Sequence, residues 1–407
     1  MELYSTRMTS IDRPRIAIDV SGLDRLGPHG GQYRYSIDLV RGLSALRPQD
    51  NFVLLGSRSA PVDELREVFE NSDWHYRQVV RHHGRASYYR DQLALTETVL
   101  RERVDLLHVL HSPVPVLVPC PVVVTIYDLM FELFPEYVAA ASSRPYRIDR
   151  WAVRHRTRRV IAISAATARD VERLWGVERS GIDVVPLGSA FVNSAKLRGE
   201  SDERRARFGE LCPGEALLSP YNLEPRKNLA ALLKAAATLR RGYPNLRLLL
   251  FGRAAVSAER ERQFAQSLAD LGLREAVYLL GPLDDEDLVW LYAHTAAFVF
   301  PSFYEGFGLP VLEAMAAGAS VVTRNASAMA EVVGDAGILV ETADPDALAA
   351  AISPLLDAPA RRAQLGAAAR ERASTFTIER MARLSFESYR AALERRGLHM
   401  TTDGVEV

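Results

Sequence analysis

AAFVFPSFYEGFGLPVLEAMAAG, residues 296–318, opens as an apolar strand-like run, turns through Gly306 and Gly308, and continues as a helix with Pro310 in its first turn. Strand, turn and helix in that order form the repeating unit of an open parallel α/β sheet, whose ligands sit outside the carboxyl ends of the strands. Glycine lets the backbone approach a ligand closely, proline suits a helix start, and the free N–H groups of that start attract phosphate. Glu305 falls at the strand's end. Glu313 falls about one turn inside the helix, within reach of the hydroxyls of a ligand whose phosphates lie at its start. The stretch has the layout of a phosphate-and-sugar site formed by Glu305, Gly306, Phe307, Gly308, Leu309 and Glu313.

The same alternation runs through the whole chain. RIAIDV (15–20), YRYSIDLVRGLSAL (33–46), NFVLLG (51–56), DLLHVL (105–110), PVVVTIYDL (121–129) and RVIAIS (159–164) form one series. EALLSPYNL (215–223), NLAALLKAAATLRR (228–241), LRLLLFG (246–252), AVYLLG (276–281), AAFVFPS (296–302) and SVVTRN (320–325) form a second. Apolar runs alternating with helical patterns imply βαβ units, so two series predict two doubly wound, Rossmann-like domains. The expected domains are 14–195 and 214–375, joined by the polar, non-periodic stretch around 190–213, with a terminal helix at 376–397 and a frayed tail TTDGVEV.

Composition excludes several classes. A chain of 407 residues suits two or three domains, and a formal net charge of −1 offers no field for nucleic acid. Cys120 and Cys212 are far apart and lack metal-ligand spacing, so both are expected as free thiols in a reducing compartment, with neither a disulfide nor a zinc site. MELYSTRMTSIDR carries no apolar signal-peptide core, and no apolar run is long enough to span a bilayer. The expectation is a cytoplasmic protein with at most peripheral contact at the inner membrane face.

The pattern of Glu305, seven residues, then Glu313 resembles the signature of the retaining glycosyltransferases of family 4, which have the two-domain GT-B fold. The likeness continues through GASVVTRNASAMAEVVGDAGILVETADPDALAAAI (318–352). IERMARLSFESYRAALERRG (378–397) resembles the family's terminal helix, which crosses back to the first domain. The resemblance implies two Rossmann-like domains facing a cleft and a nucleotide-diphosphate sugar as co-substrate, with no metal and no other cofactor. It places Glu305 beside the transferred sugar and Glu313 on the nucleotide ribose. YDLMFELFPEY (127–137) and the EPRKN segment (224–228) are similar to bacterial enzymes of surface polysaccharides or metabolites, including mannosyltransferases. That favours GDP-mannose and leaves UDP-sugars open, with a glycan, a lipid-linked sugar or a small molecule as acceptor.

SPYNLEPRKNLAALL (219–233) sets Arg226 and Lys227 side by side at a helix start, a poor place for cations unless an anion shares it. Fixed cations there would meet the charge that builds on a leaving diphosphate. Lys227 matches the lysine of the family segment. The family's arginine, five positions earlier, is Asn222 here, so Arg226 is expected to supply the second charge. GGQYRYSIDLV (30–40) resembles the family's glycine loop after the first strand, which makes Gly30 and Gly31 candidates for the donor or acceptor.

Where many relatives carry a histidine at a strand end in the first domain, this chain has Tyr127, a poor base at neutral pH with an ordinary pKa of about 10. Asp128 beside it is the better candidate for an acceptor hydroxyl, and a capping role stays open. His108 and His111 fall at another strand end, where His111 is a cleft candidate. Ser164 and Gly188 match family positions lining the cleft. Asp284, Asp285 and Asp287 read as a helix start rather than a metal site. The arginines between Arg144 and Arg159 read as a solvated helix. Two other functions stay open: a catalytically silent nucleotide-sugar-binding protein, suggested by Tyr127 and Asn222, and a GT-B nucleotide-sugar epimerase.

Overall fold

The computed structural model describes residues 13–394 except 24–25, 27–29, 48, 81, 83–86, 112, 136–142, 194–200, 213, 254–256 and 343. The end of the expected terminal helix (395–397), the tail, and parts of the 127–137 segment and the 190–213 stretch lie outside the described residues. The chain divides into two compact units. The first comprises the described residues of Met1–Ala162, Ala168–Val185 and Glu379–Val407, and the second Ile163–Thr167 and Pro186–Ile378.

The first unit holds seven strands: β1 (Ile16–Asp19), β2 (Phe52–Gly56), β3 (His75–Gln78), β4 (Leu106–Val109), β5 (Val122–Ile126), β6 (Arg159–Ala162) and β7 (Ile182–Val184). They lie in the order β3-β2-β1-β4-β5-β6-β7, all paired in parallel. The second unit holds β8 (Ala216–Pro220), β9 (Arg247–Phe251), β10 (Val277–Gly281), β11 (Ala297–Phe300), β12 (Val321–Arg324) and β13 (Ile338–Val340) in the order β10-β9-β8-β11-β12-β13, also parallel. Each order reverses once, between β1 and β4 and between β8 and β11. A crevice opens at the strand ends of such a switch point.

Central strands such as β1, β2, β4, β5 and β11 are buried along their whole length, because helices cover both faces of a parallel sheet. Each fully buried Leu, Val or Phe there contributes roughly 1.5–3 kcal/mol, which is why these strands read as unbroken apolar runs. β3, β7 and β13 were not among the runs named from the sequence. They are edge strands of three or four residues, and β3, HYRQ, is largely exposed, so none needs a continuous apolar stretch.

The helix Ile378–Glu394 turns a buried face to the first unit. Its Tyr389 hydroxyl lies 2.6 Å from Nδ1 of His108, its Ser388 hydroxyl donates to Asp183 at 2.7 Å, and Arg47 lies over the Phe386 ring at 4.2 Å. The chain leaves the first unit at Val185, earlier than the polar stretch suggested. The reason is local: Ser189 N–H donates to the Phe376 carbonyl at 3.3 Å, and a Cβ on Gly188 would lie 2.5 Å or less from the backbone of Thr377 and Ile378. Gly188 therefore serves a close backbone approach. Cys120 and Cys212 are free thiols, and burial pushes that of Cys212 up to about 11. Among the described residues, no helix is long and apolar enough to cross a membrane.

Candidate active site

The loops that follow β8 and β11, neighbours at the switch point of the second sheet, are sewn together. After β8, the Asn222 carboxamide oxygen accepts from Glu224 N–H at 2.8 Å, closing a turn that an asparagine side chain favours. One tight turn, Pro225–Lys227, follows, and Asn228 adopts φ 55° to launch the helix Leu229–Leu239. Asparagine tolerates that left-handed conformation better than most residues. Phe303 N–H donates to the Arg226 carbonyl at 2.7 Å, and the Asn228 carboxamide to the Pro301 carbonyl at 3.4 Å. Arg226 and Lys227 are thereby turned toward the loop after β11.

Both cations meet Glu305. Its Oε1 accepts from Lys227 Nζ at 2.6 Å, from Ser302 Oγ at 2.6 Å and from Arg226 Nη1 at 3.1 Å. The three charged side chains are only 13%, 15% and 18% exposed for Glu305, Lys227 and Arg226. Burial pushes the Glu305 carboxyl up, but the Lys227 ammonium and Arg226 guanidinium, with hydrogen bonds from Lys227 and Ser302, outweigh it and hold the group below the usual carboxylate range. Arg226 is shared, its Nε donating to Glu224 at 2.8 Å, and Lys227 Nζ lies 5.2 Å from the centre of the Phe300 ring. Among the described residues, Oε2 of Glu305 receives no protein donor.

The turn after Glu305 is shaped for an anion. Gly308 has φ 96°, a conformation open to glycine, and starts the helix Leu309–Ala317 with Pro310 in its first turn. Among the described residues, the N–H groups of Phe307, Gly308 and Leu309 find no acceptor in the protein, although Phe307 and Gly308 are buried. Unpaired N–H groups at a helix start are costly to bury unless a ligand supplies the acceptor. Glu313, 6% exposed, stands on the second turn of this helix.

Other expected site residues have local work. Asn222 carries no charge to the site and shapes its loop, so Arg226 is the guanidinium present. Ser164 takes the Thr167 N–H at 3.0 Å, a helix-capping bond, within the second unit. In the first unit, Asp128 accepts from Met130 N–H at 3.1 Å, a local turn bond ahead of the helix Met130–Leu133, whose cap position is Leu129. Gly30 precedes the helix Gly31–Leu46 as its cap, with extended backbone, so neither glycine of the pair is used for a left-handed turn. His111 and Tyr127 stack with ring centres 5.9 Å apart, and His111 Nε2 lies 3.0 Å from the Ser36 hydroxyl. His108 is buried between Tyr389 and Thr125. Asp284 caps the helix Asp285–His294 through Asp287 N–H at 2.7 Å, and Asp287 pairs with Arg204 and Arg207. Of the arginine run, Arg150 and Arg159 pair with Glu132 and Asp183. Among the described residues, no group of three or more His, Cys, Asp or Glu is placed to hold a metal ion.

Three polar residues of this site were not singled out from the sequence: Glu224, Ser302 and Ser327. Ser302 stands three residues before Glu305 in PSFYE, which was a usable signal. Ser327, the first residue of the helix Ser327–Val333, accepts Glu305 N–H at 3.1 Å, and nothing in its own neighbourhood announces that.

Residues 29–189 match the family described as Glycosyltransferase Family 4, and residues 202–372 match Glycosyl transferases group 1. O-antigen chain mannosyltransferase B of Escherichia coli is 30% identical over 345 residues, covering 80% of this chain and 86% of that protein. The chain belongs to glycosyltransferase family 4. This family 4 glycosyltransferase is also 34% identical over 244 residues to D-inositol 3-phosphate glycosyltransferase of Nocardia farcinica, covering 58% of this chain and 53% of that one, about half its length. Among solved structures, Anabaena HepE in complex with UDP and glucose matches with a TM-score of 0.70 at 19% identity, over 93% of this chain and 99% of that one. WaaG, a glycosyltransferase involved in lipopolysaccharide biosynthesis, matches with 0.68 at 17%, over 91% and 98%. Likeness at that identity speaks to the fold, which is GT-B.

Proposed function

We propose that this glycosyltransferase is a metal-independent, retaining hexosyltransferase that takes a nucleotide-diphosphate sugar in its second unit and passes the hexose to a glycan, lipid-linked or small-molecule hydroxyl. The observation that carries this reading is the set of Lys227, Arg226 and Ser302 on one oxygen of Glu305, beside unpaired N–H groups at a helix start. Lys227 and Arg226 share their charge with the diphosphate, helped by the N–H groups of Phe307, Gly308 and Leu309, and so take the role a metal ion plays elsewhere. Glu313 accepts from the ribose hydroxyls. Glu305, anchored through Oε1, turns Oε2 to the sugar, orders its hydroxyls and stabilises positive charge at the anomeric carbon.

In the transfer, the bond from the anomeric carbon to the β-phosphate oxygen breaks and its electron pair leaves with the nucleoside diphosphate. The acceptor oxygen bonds to the anomeric carbon on the same face, and its proton passes to the departing phosphate. No protein nucleophile is required. The likeness to an O-antigen mannosyltransferase favours GDP-mannose as donor.

The test is calorimetry with GDP, UDP, ADP and dTDP in metal-free buffer, followed by sugar release from the matching nucleotide sugars, for the natural protein and Glu305→Ala. The reading expects one nucleotide to bind at micromolar Kd, GDP first, and Glu305→Ala to bind it equally while sugar release stops. Binding without turnover, even with acceptors, points instead to a silent binder. No nucleotide binding removes the diphosphate site altogether.

A further inference from the structure

We propose that Ser302 and Ser327 are positioning residues for Glu305, one holding its carboxylate and the other its backbone. The inference rests on the role given to Glu305 above. Ser302 is fully buried, and its hydroxyl lies 2.6 Å from Glu305 Oε1, 3.1 Å from the Arg226 carbonyl and 3.3 Å from the Tyr304 carbonyl. It has one proton to give among three acceptors, and the nearest is the ionised one, which makes the stronger hydrogen bond. Ser302 is thus the neutral member of a three-donor clamp on Oε1. Lys227 and Arg226 share their charge with an incoming diphosphate, whereas Ser302 sits in the same loop as Glu305 and has no charge to share. It keeps Oε2 turned outward when the cations serve the diphosphate.

Ser327 secures the other end. It adopts φ 52°, one of three described non-glycine residues with positive φ, a conformation that is costly for an ordinary residue. Glycine would sit there without that cost, yet glycine has no side chain to accept a hydrogen bond. The serine hydroxyl accepts the Glu305 N–H at 3.1 Å and so fixes the backbone from which the carboxylate projects. The contact with Glu305 accounts for a strained backbone kept at this serine.

This predicts a dissociation of stability from activity. Ser327→Gly retains or raises the melting temperature of the second unit, leaves nucleoside diphosphate Kd unchanged, and lowers kcat for sugar release about tenfold to a hundredfold, the usual effect of a misplaced group near the reacting atoms. Hydrogen exchange of the Glu305 amide quickens in that variant. Ser302→Ala lowers kcat with unchanged Kd and moves the acid limb of the kcat profile to higher pH, because Glu305 has lost a donor to its charged form. Natural kcat in both variants, with the natural protein active, overturns the positioning role and leaves the transferase reading intact. If the natural protein releases no sugar, that reading fails, and amide exchange still decides: a Glu305 amide as protected in Ser327→Gly as in the natural protein overturns the inference.

Discussion

Acidification from pH 8 to pH 5 should weaken the first unit in part through one buried histidine. His108 is fully buried, its Nδ1 2.6 Å from the Tyr389 hydroxyl and its Nε2 2.9 Å from the Thr125 hydroxyl, which in turn lies 3.0 Å from that of Tyr35. Burial, and then the neighbouring His111, lower its pKa from 6.5 to about 3. The folded pKa is below the unfolded one, so the unfolded chain binds more protons throughout that interval and stability rises with pH across it. The contribution is complete above pH 6.5 and is lost as pH falls toward 3. At pH 5 the loss is about 1.5 pH units at about 1.36 kcal/mol each, or about 2 kcal/mol. With an m-value of about 2 kcal/mol/M in urea, the midpoint should drop by about 1 M. The assay is urea unfolding followed by tryptophan fluorescence in a Trp290→Phe background, because Trp74, Trp151 and Trp175 all belong to the first unit. His108→Gln keeps a hydrogen-bonding side chain without the titration. If the midpoints of the two proteins fall in parallel between pH 8 and pH 5, His108 is not the buried neutral group described.

Under the proposed function Lys227→Ala would remove one charge-assisted contact to the diphosphate, worth roughly 1.5–3 kcal/mol, so nucleotide Kd measured by calorimetry should rise about tenfold to a hundredfold. An unchanged Kd would place the diphosphate elsewhere. Gly308→Ala forces a side chain onto φ 96°, with its Cβ 3.4 Å from Met329. The second unit should lose roughly 1–3 kcal/mol, read from Trp290 fluorescence in urea, and full stability would mean that the turn accepts an ordinary residue.

How far the sequence discloses the fold depends on where each strand lies. β1, β2, β4, β5, β6, β8, β9, β11 and β12 are legible because helices cover both of their faces in the middle of a parallel sheet. β10 is an edge strand yet legible because VYLL keeps an apolar run, whereas β3, β7 and β13 are not, since an edge strand with one neighbour can be as polar as HYRQ or as short as three residues. Among site residues, Glu305, Lys227 and Arg226 stand out because charged side chains sit beside glycine and proline in the loops after strands, Lys227 being one of three lysines in the chain, and the structure brings all three into contact. Asp128, Ser164 and Asn222 sit at strand ends too, yet each closes a hydrogen bond within three residues of itself. A local backbone partner satisfies a short polar side chain as well as a ligand does, and the sequence does not rank the two. Ser327 presents the opposite difficulty, since its partner lies 22 residues away on another loop.

The two sheets share one strand order but use their switch points differently, and the difference divides the proposed chemistry. At the end of β1, a Cβ on Gly22 would lie 2.8 Å from His111. His111 stacks on Tyr127, which meets Tyr35 edge to face with centres 5.4 Å apart. Burial raises both tyrosines well above their ordinary pKa, so this corner is aromatic, and the buried carboxylate of Asp19 at the end of β1 is held by Ser21. At the ends of β8 and β11, by contrast, a carboxylate is held by two cations beside unpaired N–H groups. A doubly charged diphosphate gains little from neutral aromatic walls and much from fixed cations in a site with little water, where electrostatic terms are strongest. An uncharged sugar hydroxyl has the reverse preference, because hydroxyls and ring faces serve it without the cost of burying an ion. Under the proposed function, donor recognition therefore follows the cations of the second unit, and acceptor recognition falls to the aromatic and polar side chains of the first.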